Sequence, residues 1–365
     1  FRSGFLINNL KHNSIIDLLG SIIVKNMLRA RCNGELGELT KSINEHRSRP
    51  LANPRSDRER FRDGPPEFST LDALRVLWHA RSHRAALDRT MALLADEPSR
   101  ELLRRILAYR ALGPRYVNLP SDTDNPLESQ PQATACMVGP GDDPAFGTQL
   151  YRMGDITIEA WPLNIWADFF EQQYVFERDG IRIAVEPGDS VLDLGACFGD
   201  TSLTFAAAAG ETGRVDAFEP MPRQVEVIER NLARNPALAS RVHVHRLAVF
   251  DRRVELLFAD GGAAAHPSHA GTIKVPTCRL DDWIRETGVV PTFIKMDVEG
   301  AESAALRGSA DTIRRYRPKL AISAYHSLAD LTGLAPLIAS IQSDYRFYLD
   351  HHTTHAEETV LYAIC

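Results

Sequence analysis

Val191-Leu192-Asp193-Leu194-Gly195-Ala196-Cys197-Phe198-Gly199-Asp200-Thr201-Ser202 runs from an apolar strand through a glycine-bounded turn into a helix. Gly195 and Gly199 remove Cβ atoms where backbone and ligand must come close. The helix that follows offers free N–H groups at its start. Open α/β sheets bind their ligands at this place, beyond the carboxyl end of a strand. The next piece is Val215-Asp216-Ala217-Phe218-Glu219-Pro220, a second strand that also ends in an acid. A carboxylate there accepts hydrogen bonds from ribose hydroxyls. Asp193 is suited to the ammonium of an amino-acid moiety. Gly195 and Gly199 alone would also serve an ordinary tight turn; joined to Glu219 they read as a pocket for a nucleoside that carries an amino acid, S-adenosylmethionine. G-x-G-x-x-G spacing is absent and Asp193 would repel phosphate, which speaks against a nicotinamide dinucleotide.

Working outward, short β-branched runs alternate with helical stretches from about Tyr151 onward, the pattern of a largely parallel sheet. Strands are expected over 190–194, 214–218, 242–248, 292–296 and 319–324, with 346–350 and 359–364 as a closing antiparallel hairpin. The runs 256–258 and 272–276 are expected to form a further hairpin beside the sheet. Upstream, the chain divides into an N-terminal helical segment (1–45), an Arg- and Pro-rich linker (46–66), a helical module (67–118) and a loop rich in Pro, Asp and Gly (119–150), ahead of the α/β domain (151–365). In the helical module Ser69 or Thr70 caps the first helix, and Leu71, Leu74, Leu77 and Trp78 recur at helical spacing as a core stripe.

Composition narrows the class. With 365 residues, 44% hydrophobic and 25% charged, the chain reads as a globular protein of two domains. A net charge of −6 argues against a general nucleic-acid binder. The five cysteines, Cys32, Cys136, Cys197, Cys278 and Cys365, are scattered and form no C-x-x-C pair, so neither a zinc ribbon nor a disulfide framework is expected, and the compartment is read as cytoplasmic. Lys11, His12, Asp17 and Lys25 interrupt the Leu- and Ile-rich stretch near the N-terminus, short of the ~20 apolar residues a membrane span needs. No integral membrane segment is expected there, and the stretch is read as an amphipathic helix.

Downstream motifs carry a family resemblance. Phe293-Ile294-Lys295-Met296-Asp297-Val298-Glu299-Gly300-Ala301-Glu302 resembles the K-x-D-x-E-G-x-E block of FkbM-type methyltransferases. Leu280-Asp281-Asp282-Trp283 precedes it, Arg317-Pro318-Lys319-Leu320 follows it, and Glu358-Thr359-Val360-Leu361-Tyr362-Ala363 resembles the family's closing strand. Tyr174 in Gln173-Tyr174-Val175-Phe176 is similar to its entry segment. The resemblance runs from about Trp161 to the C-terminus. It implies an α/β class I methyltransferase (Rossmann-like) fold, a seven-stranded sheet whose last strand runs antiparallel, preceded here by the small helical N-terminal region. It also implies S-adenosyl-L-methionine as cofactor and O-methylation of a hydroxyl on a sugar, glycan or polyketide-like product. Cys197 departs from the Asn frequent in the family's glycine turn, and Ser323 and Tyr325 stand where a Glu is often found before His326. The residues expected to line the cofactor are Tyr174, Asp193, Gly195, Ala196, Cys197, Phe198, Gly199, Thr201, Ser202, Glu219, Pro220, Ala248 and Asp297.

Methyl transfer from a sulfonium is an in-line displacement in which positioning supplies much of the rate. A hydroxyl acceptor must also lose a proton, which calls for a base or a metal. His326, after the fifth strand, is the preferred base, with Asp297 and His351 beside it as catalytic candidates and His352 and His355 as weaker ones. Asp297 and Glu299 also offer oxygen ligands to a divalent cation; Glu302 is read as a helix-start acid interacting with the dipole. The expected partners are a small-molecule or glycan acceptor and, through the N-terminal helices, a second copy of the chain; those helices are otherwise a lid over the acceptor pocket. Competing readings are a non-catalytic methyltransferase-fold binding module, a nicotinamide-dependent oxidoreductase and, less in keeping with the charge, a nucleic-acid methyltransferase.

Overall fold

Runs such as Val191-Leu192 and Phe293-Ile294 are too apolar for a strand with one wet face, and in the computed structural model they lie fully buried at the centre of a sheet. Residues 34–51, 69–119, 133–143, 146–259 and 271–365 are described. Most of the expected N-terminal segment and linker, Cys32 among them, lies outside the described residues. By its contacts the chain divides into two units, Phe1–Ser121 with Thr353–Glu357, and Asp122–His352 with Glu358–Cys365.

The first unit is helical: Glu35–Arg47, Thr70–Ser82, Arg84–Leu93 and Glu97–Leu112. The Ser69 N–H donates to Asp72 Oδ2 at 2.9 Å, so the expected cap is present. Leu39, Ile43, Leu77, Leu87 and Leu103 are buried in this unit. Leu71 and Trp78, expected in the core stripe, are instead exposed, because the buried face of Thr70–Ser82 is drawn from Ala73, Val76, Leu77 and Ala80.

The second unit holds a seven-stranded sheet of β1 (Ser190–Leu194), β2 (Arg214–Phe218), β3 (Val242–His245), β4 (Phe293–Met296), β5 (Lys319–Ser323), β6 (Arg346–His351) and β7 (Thr359–Ile364). Their order is β6-β7-β5-β4-β1-β2-β3. The pairs β5–β4, β4–β1, β1–β2 and β2–β3 are parallel, whereas β7 runs antiparallel to both β5 and β6. The expected sheet and closing hairpin are therefore present. Ile183, Phe205, Val215, Ile228 and Tyr362 belong to one hydrophobic cluster of this unit.

Register positions the site. Leu194 pairs with Phe218 and with Met296, and Met296 pairs with Ile322. The residues just past these tips, Gly195, Glu219, Asp297 and Ser323, thus come to one edge of the sheet. Their backbones are stitched there: the Gly195 N–H donates to Phe218 O, Asp297 N–H to Leu194 O and Glu219 N–H to His245 O.

Two local differences from the sequence reading stand out. The third strand ends at His245, and Ala248–Val249 pairs instead with Thr277 and Cys278 in a smaller sheet that also holds the expected hairpin, Glu255–Phe258 against Ile273–Cys278. Ala248 accordingly packs toward Met221, Phe258 and Val275. The stretch 119–150, read as loop, contains the strand Met137–Pro140, which pairs with Gln149–Met153; that strand pairs in turn with Ile156–Ala160. Gly139, Pro140 and an exposed face at Met137 and Val138 gave it no strand alternation to read, as is usual at a sheet edge. Among the described residues no helix is long and apolar enough to cross a membrane.

Candidate functional site

The turn after β1 is shaped by three residues in the left-handed region: Gly195 (φ 86), Cys197 (φ 48) and Gly199 (φ 77). A Cβ on Gly195 would stand 1.8 Å from Asp297 O, so only glycine lets the ends of β1 and β4 approach. Cys197 adopts the same backbone region without glycine's freedom, a local strain typical of functional turns. Ala196 and Phe198 are buried. The Phe198 ring turns away from the sheet edge and packs edge-on to Trp161 at 4.9 Å and Phe146 at 5.3 Å. Phe198 therefore holds the turn in the core, and its side chain does not line a ligand space as the sequence reading expected.

Glu219, 6% exposed, closes the turn from β2. The Cys197 N–H donates to its Oε2 and the Met221 N–H to its Oε1, both at 2.9 Å. Burial pushes this carboxyl up to about 7, against the pull of those two N–H groups and of Lys295. Pro220 lies between these anchored neighbours.

Asp193 behaves differently from expectation. It is fully buried, and its Oδ2 accepts from Thr201 Oγ1 at 2.7 Å and Ser202 Oγ at 2.6 Å. The ammonium it meets is the chain's own: Lys295 Nζ lies 3.2 Å from Asp193 Oδ1 and also donates to Gly195 O. Asp193, Thr201 and Ser202 thus fasten the helix Asp200–Ala209 under the turn. Lys295 sits 5.3 Å over the Tyr174 ring. Burial works against its charge, but Asp193, Asp297, Asp200 and Asp168 outweigh that and hold its proton firmly. The sequence reading missed this residue, although a lysine inside Phe293-Ile294-Lys295-Met296 was the signal, since lysines enter cores only when paired.

A second group missed from sequence lies at the start of the same helix. The widened helical turn Trp166–Phe170 buries Asp168, with the Gln173 side chain donating to it at 3.4 Å. Asn164 Nδ2 donates to Asp200 Oδ2 at 2.7 Å. Burial, and then the Asp200 carboxyl, push the Asp168 carboxyl well above the ordinary range.

On the β4 and β5 side Asp297, Glu299, Glu302 and His326 converge. Tyr174 donates to Asp297 Oδ2 at 3.1 Å, and the Tyr325 hydroxyl stands 3.5 Å from the same oxygen. His326 Nε2 is 3.3 Å from Glu299 Oε2 and 3.5 Å from Asp297 Oδ1; its Nδ1 is 3.1 Å from Glu302 Oε1. Burial opposes a charge on this imidazole, but Glu299, Glu302 and Asp297 prevail and push it up to about 11. Glu299 (φ 54) and Gly300 (φ 88) form a left-handed pair at the end of β4. Glu302 takes the helix-start role expected of it, accepting from Val298 N–H at 3.0 Å and Gly300 N–H at 3.3 Å, and it reaches His326 as well.

The remaining histidines sit elsewhere. His351 Nδ1 is 2.8 Å from Thr359 Oγ1 within the β6–β7 hairpin, and His352 Nε2 is 3.1 Å from the Tyr362 hydroxyl. His355 belongs to the segment grouped with the first unit. The structure therefore brings His326, Asp297 and Tyr174 together and leaves His351 on the outer strand of the sheet.

No curated protein matches the chain by sequence. The crystal structure of methyltransferase FkbM from Methylobacillus flagellatus KT is similar at TM-score 0.52 and 22% identity, over 80% of this chain and 60% of that one. The chain thus spans less than two thirds of that relative's length, and the likeness shows the fold. A SAM-dependent O-methyltransferase from Thermotoga maritima aligns at TM-score 0.31 and 14% identity, over 50% of this chain and 61% of that one. Fibrillarin from Aeropyrum pernix, solved with S-adenosyl-L-methionine, aligns at TM-score 0.34 and 12% identity, over 60% of this chain and 94% of that one. Neither score is high enough to bear on the reading. The family model described as a methyltransferase FkbM domain matches residues 193–351, from Asp193 within β1 to His351 at the end of β6. Over residues 193–351, then, the chain is similar to methyltransferase FkbM domains.

Proposed function

We propose that this domain methylates a hydroxyl oxygen of a sugar, glycan or polyketide-like acceptor, with S-adenosyl-L-methionine as donor. The observation that carries the reading is the buried Glu219 carboxylate, fixed at the end of β2 by the Cys197 and Met221 N–H groups beside the turn that follows β1. That placement fits a nucleoside, with a fixed acceptor for paired hydroxyls at the carboxyl edge of the sheet. S-adenosyl-L-methionine, when bound, supplies an electrophilic methyl group.

The chain's own residues do the rest. Glu219 and the turn from Gly195 to Cys197 would hold the nucleoside. Asp193 and Lys295 keep that turn in place from below. Lys295 and His326 counter the carboxylates that surround the cleft, Glu219, Asp297 and Glu299 among them, and so hold them close together. His326, hemmed in by acids, keeps its proton at neutral pH and so is no acceptor for the proton of a hydroxyl. That role passes to the carboxylates beside it, Asp297 or Glu299, which stand at the strand end where an acceptor enters.

The test is calorimetric binding of S-adenosylhomocysteine to the wild type and to Glu219→Gln, followed by transfer of labelled methyl to a panel of hydroxylated glycans and polyols. Binding that weakens in the variant, with methyl ethers among the products, is the expected result. Undiminished binding in Glu219→Gln, or label found on nitrogen or carbon, would overturn it.

A further inference from the structure

We infer that Asp168, Gln173 and Asp200 form the seat for the α-ammonium of the donor's amino-acid moiety, in place of Asp193. The inference rests on the methyl-transfer reading and extends it to the other end of the same molecule. The first argument is that Asp193 is already engaged. Lys295 Nζ stands 3.2 Å from its Oδ1, and the Thr201 and Ser202 hydroxyls take its Oδ2. A ligand's ammonium would meet a like charge at this carboxylate.

The second argument is a set of buried oxygens beside the turn. Asp168 lies in the widened turn Trp166–Phe170, and the Gln173 N–H donates to Ala167 O of that turn at 3.0 Å. Asp200 opens the helix Asp200–Ala209, directly after Gly199. All three side chains belong to residues more than nine-tenths buried. Gln173 Nε2 donates to Asp168 Oδ1 at 3.4 Å, which sets the amide oxygen beside that carboxylate. That oxygen, Gln173 Oε1, has no hydrogen-bond partner among the described residues. Asn164 takes Asp200 Oδ2, and Asp200 Oδ1 is likewise without a partner among them.

The unmet atoms are all acceptors, an amide oxygen among them, so what they lack is a donor. The donors at hand do not supply it. Lys295 is held by Asp193 and Gly195 O, and Trp166 Nε1, in the same turn as Asp168, is itself unpartnered among the described residues. An ammonium brings three N–H bonds and a positive charge. Burial and the Asp200 carboxyl both push Asp168 up, and a cation held by the two carboxyls relieves that repulsion. The place also suits the nucleoside. Asp200 and Glu219 both act on the Cys197 thiol, so the turn lies close to both carboxyls. With its ribose at Glu219, the donor would run its amino-acid end across the turn toward Asp200.

The test compares three ligands by calorimetry on the full chain: S-adenosylhomocysteine, its deaminated analogue, and 5′-methylthioadenosine, which keeps the nucleoside and sulfur without the amino acid. The wild type should bind S-adenosylhomocysteine about 10–100-fold more tightly than the deaminated analogue. The near-isosteric variants Asp168→Asn and Asp200→Asn should erase that preference, the loss falling on the ligand that carries the ammonium. Equal affinity of the wild type for S-adenosylhomocysteine and its deaminated analogue would overturn the seat, and needs no variant to fold. A preference that survives in both variants would do the same. If all three ligands bind the wild type equally, the seat falls and the nucleoside pocket stands. If none binds, the methyl-transfer reading falls and takes the seat with it.

Discussion

Glu219 shows how one buried side chain can set two opposite pH responses. In the folded protein burial pushes it up to about 7 from an ordinary 4.5. Between those values the folded state holds a proton that the unfolded chain has released. Stability is then fully present below the lower value and is lost as pH rises through the higher one. Ribose hydroxyls, by contrast, bind best to the ionised carboxylate. The affinity for S-adenosylhomocysteine should therefore rise about tenfold between pH 6 and pH 8, the span over which a group of this acidity ionises. Calorimetry across that range checks it. In Glu219→Gln binding should be weak and flat with pH, and a wild-type profile that is equally flat would mean that the hydroxyls are held by another group.

Asp193 and Lys295 act at the scale of elements, because they join β1, β4 and the helix Asp200–Ala209. Both are buried, at 0% and 3% exposure, so neither finds water if its partner is lost. Lys295→Met should cost about 3–5 kcal/mol by leaving Asp193 charged and uncompensated. The double variant Asp193→Asn with Lys295→Met should cost clearly less than the sum of the single changes, as read from urea midpoints. Strict additivity would show that the pair does not act as a unit. The same elements show what was legible beforehand. Apolar runs ending in acids announced β1, β2 and β4, and Gly195 and Gly199 announced the turn, because local chemistry alone demands them. The partner of Asp193 was hidden, since parallel register, not sequence distance, brings Lys295 beside it. His326 could be placed at a strand end but not given its protonation state, which depends on Glu299 and Glu302 arriving from another loop. Met137–Pro140 was illegible for a third reason: an exposed edge strand needs no apolar alternation.

At the scale of the whole molecule, the chain divides by its contacts into one unit that runs to Ser121 and takes in Thr353–Glu357, and a second made of the rest. Each unit carries its own buried side chains: Ile43 and Leu103 in the first, Val191, Phe293 and Tyr362 in the second. A chain built so should unfold in two thermal transitions. All residues of the proposed nucleoside site, from Asp193 to Glu219, lie in the second unit, so a ligand bound there is expected to act on that unit's equilibrium. At a hundredfold excess over its dissociation constant S-adenosylhomocysteine should add about 2.7 kcal/mol. For a unit of this size that moves one transition up by roughly 5–10 °C and leaves the other in place. Scanning calorimetry with and without ligand decides the matter, with intrinsic tryptophan fluorescence as a second probe, since Trp78 reports on the first unit and Trp161, Trp166 and Trp283 on the second. A single transition that shifts as a whole would mean that the helical unit draws its stability from the methyltransferase fold, and that its fate is set by the same ligand.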